Sequence, residues 1–456
     1  MHSIKDQPEL HYLCTMNSPH TKAAQALRQL NIELLNPMQE AAIAAIDSHK
    51  DLILLSPTGS GKTLAYLLPL LPRLQAGLTH VQALVLVPSR ELALQIEDVF
   101  KKMQTGFKVN CCYGGHNIQT EINNLSEPPA LLIGTPGRVI DHIDRGSLDL
   151  DQVHTIVLDE FDKSLEFGFQ PQMEYALAKM PALKQRILTS ATDLAEIPGF
   201  VGLQDPQRLD FLSDRATVDK LEIRKVISPE ADKLETLLQL ICKLGSQAML
   251  VFLNHRDAVE RVSTFLDEHG VLHDYFHGGL DQNMRERTLT KFRNGSCRIL
   301  VTTDLAARGL DIPEIAAVVH YHLPLTEDAF THRNGRTARM HAEGAAYVII
   351  GPGEKWPTYI DADIPTEELP TEIRLPEQPV WATLYISKGK KAKINKIDVV
   401  GFLSKKGGLS QEDLGLILVK DECAYIAVKR DKIKAVIQQT KGEKLKGVKV
   451  ILEVAK

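Results

Sequence analysis

The feature that most constrains this chain of 456 residues is a series of short, wholly apolar runs rich in branched side chains. Between the runs, apolar residues recur at helical spacing. Continuous apolar strands separated by helices are typical of parallel sheets that helices cover on both faces. Two sets of runs therefore predict two α/β domains; the runs are residues 52–55, 83–87, 131–133, 156–158 and 187–188, then 249–252, 299–301, 317–319 and 347–350.

Charge divides the chain further. Residues 380–456 hold 17 basic and 8 acidic side chains, a net charge of +9, whereas residues 1–379 hold 36 and 50, a net charge of −14. The whole-chain charge of −5 would argue against a nucleic-acid-binding protein if the charge were evenly spread. The uneven distribution instead predicts a separate basic domain at the C-terminal end.

The segment between these two parts, residues 351–379, contains 6 of the 23 prolines and 7 acidic residues. Prolines at that density cannot continue a helix or a central strand. We therefore predict a semi-rigid, self-repelling linker. A charged connector is expected near residues 211–225, so the predicted domains are 1–210, 225–350 and 380–456.

The sequence excludes several classes of protein. The richest apolar stretch, residues 64–74, is interrupted by Pro69 and Pro72, so neither a spanning helix nor a membrane partner is expected. The first residues carry Lys5 and Asp6 before any apolar run, unlike a signal peptide. Six cysteines without a C-x-x-C pair predict neither a disulfide scaffold nor a zinc site, and a cytoplasmic location is expected.

A phosphate-binding loop follows the first apolar run. Gly59 and Gly61 let the backbone turn tightly, so that its N–H groups and the next helix N-terminus can face phosphate oxygens. Lys62 can reach the β- and γ-phosphates, and the Thr63 hydroxyl can bind Mg²⁺. The predicted ATP-binding segment comprises Ser56, Pro57, Thr58, Gly59, Ser60, Gly61, Lys62 and Thr63.

Two acidic residues complete the predicted catalytic site. Asp159 and Glu160 end the run 156–158 and lie 97 residues after Lys62. Asp159 can hold Mg²⁺, largely through water, and Glu160 can orient or deprotonate the attacking water. Together with Lys62 they predict a Mg²⁺-dependent ATPase.

Further short motifs stand in a single order along the chain. They are residues 36–39 (NPMQ), 88–93 (PSRELA), 114–115 (GG), 135–138 (TPGR), 190–192 (SAT), 252–254 (FLN), 282–285 (QNMR), 303–304 (TD), 308–311 (RGLD) and 332–339 (HRNGRTAR). This set, from about residue 31 to residue 350, resembles the DEAD-box ATP-dependent RNA helicases. The resemblance implies two tandem RecA-like parallel-sheet domains and an RNA-stimulated ATPase that unwinds short RNA duplexes.

The resemblance also implies roles for matching residues. Gln39 should read the adenine and Asp311 should approach the ribose, while Arg336 and Arg339 should act as arginine fingers. Such fingers are worth about 10³ to 10⁵ in rate. Implied coupling residues are Asp162, Ser190, Thr192 and His332, and implied RNA contacts are Arg90, Gly115, Thr135, Gly137, Arg138, Asn254, Arg285, Thr303 and Asp304.

Three features depart from the family pattern. Phe161 stands where the family name has Ala, so a ring must pack against the sheet, and the coupling of Asp162 to residues 190–192 is left open. Ala338 replaces the usual Gly. An adenine-stacking aromatic expected near Cys14 is absent.

The basic C-terminal part has a βαββαβ pattern, with predicted strands at 382–387, 415–419, 424–428 and 448–454 and helices at 396–403 and 432–439. That order suits a small α+β domain like an RNA-recognition motif (RRM). Tyr385 and Tyr425 are candidates for base stacking, and ordinary half-buried strand tyrosines are the equal alternative.

Residues 388–396 contain five lysines, which predict a phosphate-binding patch, although a lysine run is more often a solvated face. The candidate RNA contacts are Lys388, Lys390, Lys391 and Lys393. With residues 397–402, this segment resembles the C-terminal domain of bacterial DbpA-type helicases. That resemblance implies docking on a structured hairpin of large-subunit ribosomal RNA, a pre-ribosomal particle as partner and a role in ribosome biogenesis.

Two alternatives to a helicase stay open. The protein can be an RNA clamp or chaperone with little ATP turnover if Phe161 and Ala338 prevent hydrolysis, and RNA-stimulated phosphate release separates these cases. It can also be a DNA translocase on the same core, which residues 88–93 and the tail disfavour. Equal stimulation of ATP hydrolysis by single-stranded DNA would support that second alternative.

Overall fold

The computed structural model of this protein describes residues 22–48, 51–115, 117–194, 196–212, 221–307, 315–337 and 344–455. The described residues divide into a first unit, 22–212, and a second unit that begins at residue 221. Asp311, Arg339, Ala338 and Cys14, which the sequence analysis singled out, lie outside the described residues.

The first unit is built on a parallel sheet whose described strands have the order β3-β4-β2-β5-β6-β1-β7. Five of its strands coincide with the predicted apolar runs. The sequence did not predict β3 and β7, because their polar and half-exposed positions break the apolar pattern. The strands are β1 (Leu52–Leu55), β2 (Ala83–Leu86), β3 (Val109–Cys112), β4 (Leu131–Gly134), β5 (Thr155–Leu158), β6 (Gln185–Ser190) and β7 (Gln207–Asp210).

Helices cover both faces of this sheet, and two apolar clusters form the core, one on each side. Asn36 caps α2 through a capping box with Gln39, and Ser89 caps α4 by accepting a hydrogen bond from the Leu92 N–H. Such caps begin each helix just after a strand end, where the site residues lie. The helices are α1 (Lys22–Gln29), α2 (Pro37–Asp47), α3 (Lys62–Leu70), α4 (Arg90–Lys102), α5 (Ile118–Leu125), α6 (Pro136–Asp144), α7 (Phe161–Glu166) and α8 (Gln170–Ala178).

The second unit contains another parallel sheet, with the strand order β10-β11-β9-β12-β13-β8 in its described part. The prediction of two α/β domains is confirmed. The strands are β8 (Leu221–Ile227), β9 (Met249–Phe252), β10 (Asp274–Phe276), β11 (Ile299–Thr302), β12 (Ala317–His320) and β13 (Gly344–Ile350). The helices around it are α9 (Leu234–Leu244), α10 (Arg256–Glu268), α11 (Gln282–Arg293) and α12 (Glu327–Asn334).

The predicted connector at 211–225 is wrong in its second half, because β8 begins at Leu221 and pairs along β13. The connector was predicted from the charged residues Asp214, Arg215, Asp219 and Lys220, and Glu222 and Arg224 continue the charged pattern into β8. Charged side chains are common on edge strands, where they oppose pairing with other chains. Of the described helices, none combines the length and the apolar character that crossing a membrane requires.

Residues 351–379, here called the strap, do not behave as the predicted self-repelling linker. Glu354 accepts two hydrogen bonds of 2.9 Å from the buried ammonium of Lys233. Glu367 accepts a hydrogen bond of 2.7 Å from Arg224, next to a bridge between the strap and β8. Because cations of the second unit neutralise these acids, the strap follows the surface of that unit.

The strap also packs on α12. The Tyr359 ring lies 5.8 Å from the Phe330 ring, and the Tyr359 hydroxyl donates to the Pro324 carbonyl. The Trp356 Nε1–H donates to the Ile360 carbonyl at 2.8 Å. Proline-rich sequence therefore builds a support for the helix that carries His332.

The C-terminal part has an antiparallel sheet in the order β15-β16-β14-β19, with both helices packed on its core. The order of the predicted elements is confirmed, except that the last predicted strand is broken. The elements are β14 (Trp381–Ile386), α13 (Lys396–Lys405), β15 (Leu414–Val419), β16 (Ala424–Lys429), α14 (Ile433–Gln439), β17 (Lys444–Leu445), β18 (Val448–Lys449) and β19 (Leu452–Val454).

The outer face of this sheet packs against the turn after α11 of the same unit. The Asn294 side-chain amide donates to the Thr383 hydroxyl at 2.9 Å, and that hydroxyl is also 2.9 Å from the Ser296 hydroxyl. Arg430 donates to the Ser296 carbonyl at 3.1 Å. Tyr425, on the same face as Thr383, is only 6% exposed. The predicted base stacking on Tyr425 therefore does not fit this arrangement, and the alternative of a buried strand tyrosine does.

Candidate ATP site and nucleic-acid interface

The predicted phosphate-binding loop leads from β1 into α3. Gly61 has a φ of 91°, in the left-handed region that favours glycine. A Cβ atom there would lie 2.4 Å from Gln39 Nε2, so a side chain at this position would displace Gln39 from the loop. The turn presents the N-terminus of α3 to the loop, which is the arrangement that binds phosphate.

The predicted adenine-reading residue is fastened to this loop. Gln39 Oε1 accepts a hydrogen bond of 3.0 Å from the Asn36 N–H, and Gln39 Nε2 donates to the Gly61 carbonyl at 3.2 Å. Asn36 Nδ2 donates to the Ser60 carbonyl at 2.9 Å. The cap of α2 and the phosphate-binding loop are therefore held together by side-chain amides.

Lys62 is buried, and its ammonium is directed into the loop. It donates to the Pro57 carbonyl at 3.0 Å and to the Ser56 carbonyl. In phosphate-binding loops of this type, the lysine contacts the β- and γ-phosphates. A bound phosphate can replace these carbonyls as the partner of the ammonium.

Asp159 follows β5, and its buried carboxylate is held at both oxygens. Oδ2 accepts a hydrogen bond of 2.8 Å from the Tyr66 hydroxyl. Oδ1 accepts one of 3.0 Å from the Glu160 N–H and another from the Thr189 hydroxyl. The sequence analysis did not identify Tyr66 or Thr189. Neither residue belongs to a motif or spacing that predicts phosphate binding.

The oxygen ligands that Thr63 and Asp159 offer suit a magnesium ion. Tyr66, three residues after Thr63 on α3, donates a hydrogen bond to Asp159. Hydroxyl and carboxylate oxygens are the ligands that Mg²⁺ prefers, usually with several retained waters. One turn of α3 therefore links the two predicted metal-binding residues.

Glu160 adopts a left-handed backbone, with φ 50° and ψ 51°, at the start of α7. A non-glycine residue in this region costs about 1 to 3 kcal/mol and is found mainly at functional sites. This turn places Asp159 and Glu160 between the end of β5 and the start of α7.

Phe161, the departure from the family pattern, is fully buried and lies 6.4 Å from the Phe200 ring. Its ring joins the core beneath the sheet. Asp162 Oδ2 still accepts a hydrogen bond of 3.1 Å from the Thr192 hydroxyl, and the Thr192 N–H donates to Ser190 Oγ at 3.1 Å. The structure therefore brings the three predicted coupling residues of this unit together despite the larger side chain.

Two predicted RNA-contact motifs of the first unit meet at Gly115. Its φ is 96°, and a Cβ atom there would lie 2.4 Å from Arg90 Nη1. The Arg90 guanidinium therefore packs against Gly114 and Gly115. Thr135 and Gly137 lie at the start of α6, after the neighbouring strand β4.

Arg138, also a predicted RNA contact, is positioned by a buried carboxylate. Its Nε donates to Glu121 Oε2 at 2.8 Å, and its Nη1 donates to Asp141 at 3.3 Å. His142 Nε2 lies 2.7 Å from the same Glu121 oxygen. Burial alone would raise the pKa of Glu121, but the hydrogen bonds from His142 and Arg138 outweigh it and lower that pKa.

Cys112, Glu121 and His142 lie close enough to be considered as a metal-ligand set. The Arg138 cation already occupies the Glu121 oxygen, and His142 Nδ1 is bonded to Ser147 at 2.9 Å. Burial and the Glu121 charge raise the pKa of the Cys112 thiol to about 12, so the thiol stays protonated. These contacts indicate a hydrogen-bonded support for Arg138 rather than a metal site.

Arg333 organises the predicted RNA contacts of the second unit. Its guanidinium is fully buried and donates to both carboxylate oxygens of Asp304. It also donates to Asn254 Oδ1 at 2.8 Å and to the His322 carbonyl at 2.9 Å. Sequence analysis gave Arg333 no role, although it lies in the motif at 332–339.

The other predicted residues of this unit that the structure describes have surroundings of their own. Arg336 is 2% exposed and donates to the Ala307 carbonyl at 2.8 Å, and His332 is buried on α12. Arg285 donates to the Gly278 carbonyl at 2.8 Å. The Thr303 carbonyl accepts a hydrogen bond of 3.0 Å from the Thr302 hydroxyl.

The predicted lysine patch lies in the loop between β14 and α13. Lys388, Lys390, Lys391 and Lys393 are all exposed, and Lys391 pairs with Glu422. Tyr385 is half-buried beside Tyr425, with 5.5 Å between the ring centres. In the C-terminal part, the exposed groups suited to RNA binding are therefore the ammonium groups of these lysines.

Known protein families match this chain in three parts. The family model "DEAD/DEAH box helicase" matches residues 36–196, "Helicase conserved C-terminal domain" matches 232–341 and "DbpA RNA binding domain" matches 383–454. The ATP-dependent RNA helicase DbpA of Escherichia coli K12 is 35% identical over 433 residues, covering 92% of this chain and 94% of that protein. Its counterpart from Bacillus subtilis 168 is 30% identical over 459 residues, covering 93% and 95%.

Solved structures show the same likeness. The DEAD-box helicase Mss116 bound to single-stranded RNA and UDP-BeF aligns with a TM-score of 0.69 at 26% identity, covering 77% of each chain. Saccharomyces cerevisiae Dbp5 bound to RNA and ADP BeF₃ aligns with a TM-score of 0.63 at 25% identity, covering 72% of this chain and 87% of that one. Fold, site and relatives agree that this chain belongs to the DEAD-box ATP-dependent RNA helicases of the DbpA type.

Proposed function

We propose that this helicase acts in ribosome assembly in the cytoplasm, docked on a structured hairpin of large-subunit ribosomal RNA within a pre-ribosomal particle. The observation that carries the proposal is the exposed lysine loop within the region that matches the DbpA RNA binding domain. Structured RNA is a dense array of phosphates, and lysines contribute affinity by releasing its counterions.

The docking domain is fixed to the second unit rather than tethered by a loose chain. Its sheet packs on the turn at Asn294 and Ser296, and the strap is paired to Lys233 and Arg224. An RNA held by the lysine loop is thus held at a defined place relative to this unit. The helicase core then acts on a duplex near the docking site.

ATP and Mg²⁺ are the proposed cofactors. Bound Mg²⁺, held by Thr63 and Asp159 largely through water, would neutralise charge on the transferred phosphate. Lys62 binds the phosphates, and Glu160 orients and deprotonates the attacking water. Arg336 and its partner finger, Arg339, would complete the site only when RNA favours closure of the two units.

One closure should separate only a short stretch of duplex. A nucleotide that shifts closure from 1:99 to 99:1 supplies about 5.5 kcal/mol, and duplex stacking costs about 1.4 kcal/mol per step, so about four steps can be destabilised. We therefore expect efficient unwinding of short duplexes beside the docking hairpin and a steep loss with length. Unwinding rates on duplexes of about 6 to 30 base pairs test this prediction. Equal rates for the shortest and the longest duplexes would contradict it.

Removal of residues 380–456 should abolish selection of the docking RNA while sparing weak ATPase activity on generic RNA. Crosslinking of full-length and truncated protein to total cellular RNA, followed by sequencing, measures this. The hairpin should be enriched only with the full-length chain. Equal enrichment of the same RNAs by the full-length and truncated proteins would refute the proposed docking.

A point variant separates docking from the loss of a whole domain. Replacement of Lys388, Lys390 and Lys393 by Gln should lower the slope of log affinity against log salt by about three, one for each phosphate contact. The matched control removes three exposed lysines of the first unit, Lys101, Lys102 and Lys179. An equal effect of both variants would indicate attraction by net charge alone.

A further inference from the structure

One buried tyrosine joins the two halves of the ATP site. Tyr66 lies on α3, three residues after Thr63, and its ring is fully buried. Its hydroxyl donates a hydrogen bond of 2.8 Å to Asp159 Oδ2, which lies 93 residues away in sequence. Residues three apart lie on one face of a helix, so Thr63 and Tyr66 share one side of α3.

The phenol acts as a donor toward Asp159. A carboxylate can only accept a hydrogen bond, so the Tyr66 hydroxyl is the donor in this contact. With Thr189 and the Glu160 N–H on Oδ1, the Tyr66 hydroxyl completes the set of donors that fix the Asp159 carboxylate.

Packing alone does not explain a tyrosine at this position. A phenylalanine ring would bury the same apolar area without a polar atom, and a buried hydroxyl is costly unless it is hydrogen-bonded. The Tyr66 hydroxyl finds its partner in a carboxylate of the catalytic site rather than in a carbonyl of the core.

We propose that Tyr66 is a positioning residue of the ATPase site that ties Asp159 to the phosphate-binding helix and so sets the separation of Thr63 and Asp159 before metal and nucleotide bind. This inference rests on the proposed binding of Mg²⁺ by Thr63 and Asp159. The role proposed for Tyr66 is to act through Asp159. Its effect is to remove freedom from a carboxylate that must meet a metal-bound water at a defined place.

The test is Tyr66→Phe in the full-length protein, with Mn²⁺ as the metal probe. Titration of Mn²⁺ into the protein with ADP, followed by electron paramagnetic resonance, should show metal binding about tenfold weaker than in the parent, since a hydrogen bond to a charged group is lost. The Mg²⁺ concentration needed for half-maximal ATPase activity should rise by a similar factor. Binding of RNA should stay unchanged.

The matched control is Tyr175→Phe. Tyr175 also donates to an aspartate at 2.8 Å, that of Asp144, but it lies on the exposed face of α8. Its replacement should leave the Mn²⁺ affinity unchanged. A Tyr66→Phe protein that loses thermal stability but keeps parental Mn²⁺ affinity would overturn the inference, because Tyr66 would then only pack.

A second variant keeps the inference testable if Tyr66→Phe folds poorly. Thr189→Val removes the donor to the opposite oxygen of Asp159, so Tyr66 alone among the side chains should still hold the carboxylate. We expect Thr189→Val to weaken Mn²⁺ binding by about tenfold or less. Complete loss of binding in Thr189→Val would show that Tyr66 cannot hold Asp159. If the parent itself shows no Mn²⁺ binding with nucleotide, the proposed metal site fails instead.

Discussion

Replacement of Glu160 by Gln should lower RNA-stimulated ATP hydrolysis by about 10² to 10⁴-fold, the usual contribution of a positioned general base. Glutamine keeps the size of the side chain and the left-handed backbone at φ 50°, but its amide cannot accept the proton of the attacking water. Asp159 keeps its donors from Tyr66 and Thr189. Binding of ATP should therefore survive while phosphate release falls.

Phosphate release under saturating RNA measures the loss, and a fluorescent nucleotide measures the retained binding. Glu174→Gln is the matched control, because Glu174 is an exposed glutamate on α8 of the same unit. Hydrolysis within twofold of the parent in Glu160→Gln would remove Glu160 from the mechanism. Barely measurable hydrolysis in both proteins would instead favour the alternative of an RNA clamp with little ATP turnover.

Replacement of Arg333 by Met should destabilise the second unit by about 3 kcal/mol, the lower end for breaking a buried ion pair. The guanidinium is fully buried, but the Asp304 side chain is 42% exposed, so water can partly solvate the carboxylate that is left. Asn254 Oδ1 and the His322 carbonyl also lose their donor. RNA affinity should fall too, because two predicted RNA contacts lose their common support.

Chemical denaturation of the full-length protein measures the effect, and each transition must be followed separately, because a chain of several domains need not unfold in two states. Arg261→Met is the control. Arg261 pairs with Asp232 at an exposed site, and such pairs contribute about 1 kcal/mol or less. If the two variants lower the free energy of unfolding of the second unit equally, Arg333 does not hold Asn254 and Asp304 in place.

The strands and the phosphate-binding loop could be predicted because their signals are local. Short, wholly apolar runs separated by helices are typical of strands buried on both faces, and both parallel sheets were predicted from that pattern. The turn at Gly61 needs a residue without a side chain, so the sequence shows it directly. Strands β3, β7, β8 and β10 were missed because each lies at the edge of its sheet, where half-exposed strands lack a continuous apolar run.

Long-range pairing produced the other differences. The strap contains acids that repel one another in isolation, yet Glu354 and Glu367 meet cations of the second unit. The C-terminal sheet carries two tyrosines suited to base stacking, yet Tyr425 is buried where Thr383 contacts Asn294. Composition describes what a segment prefers alone, and it cannot say which surface will cover it.

The sequence by itself determined the two α/β domains, the basic third part and the candidate site residues, because buried strands, tight turns and ordered motifs are properties of neighbouring residues. Only the tertiary structure decided which groups hold those residues in place. Tyr66 and Asp159 are 93 residues apart, and Arg333 and Asn254 are 79 apart. No local pattern encodes such pairs, because they form only when the packing of distant helices and strands leaves one buried donor facing one buried acceptor.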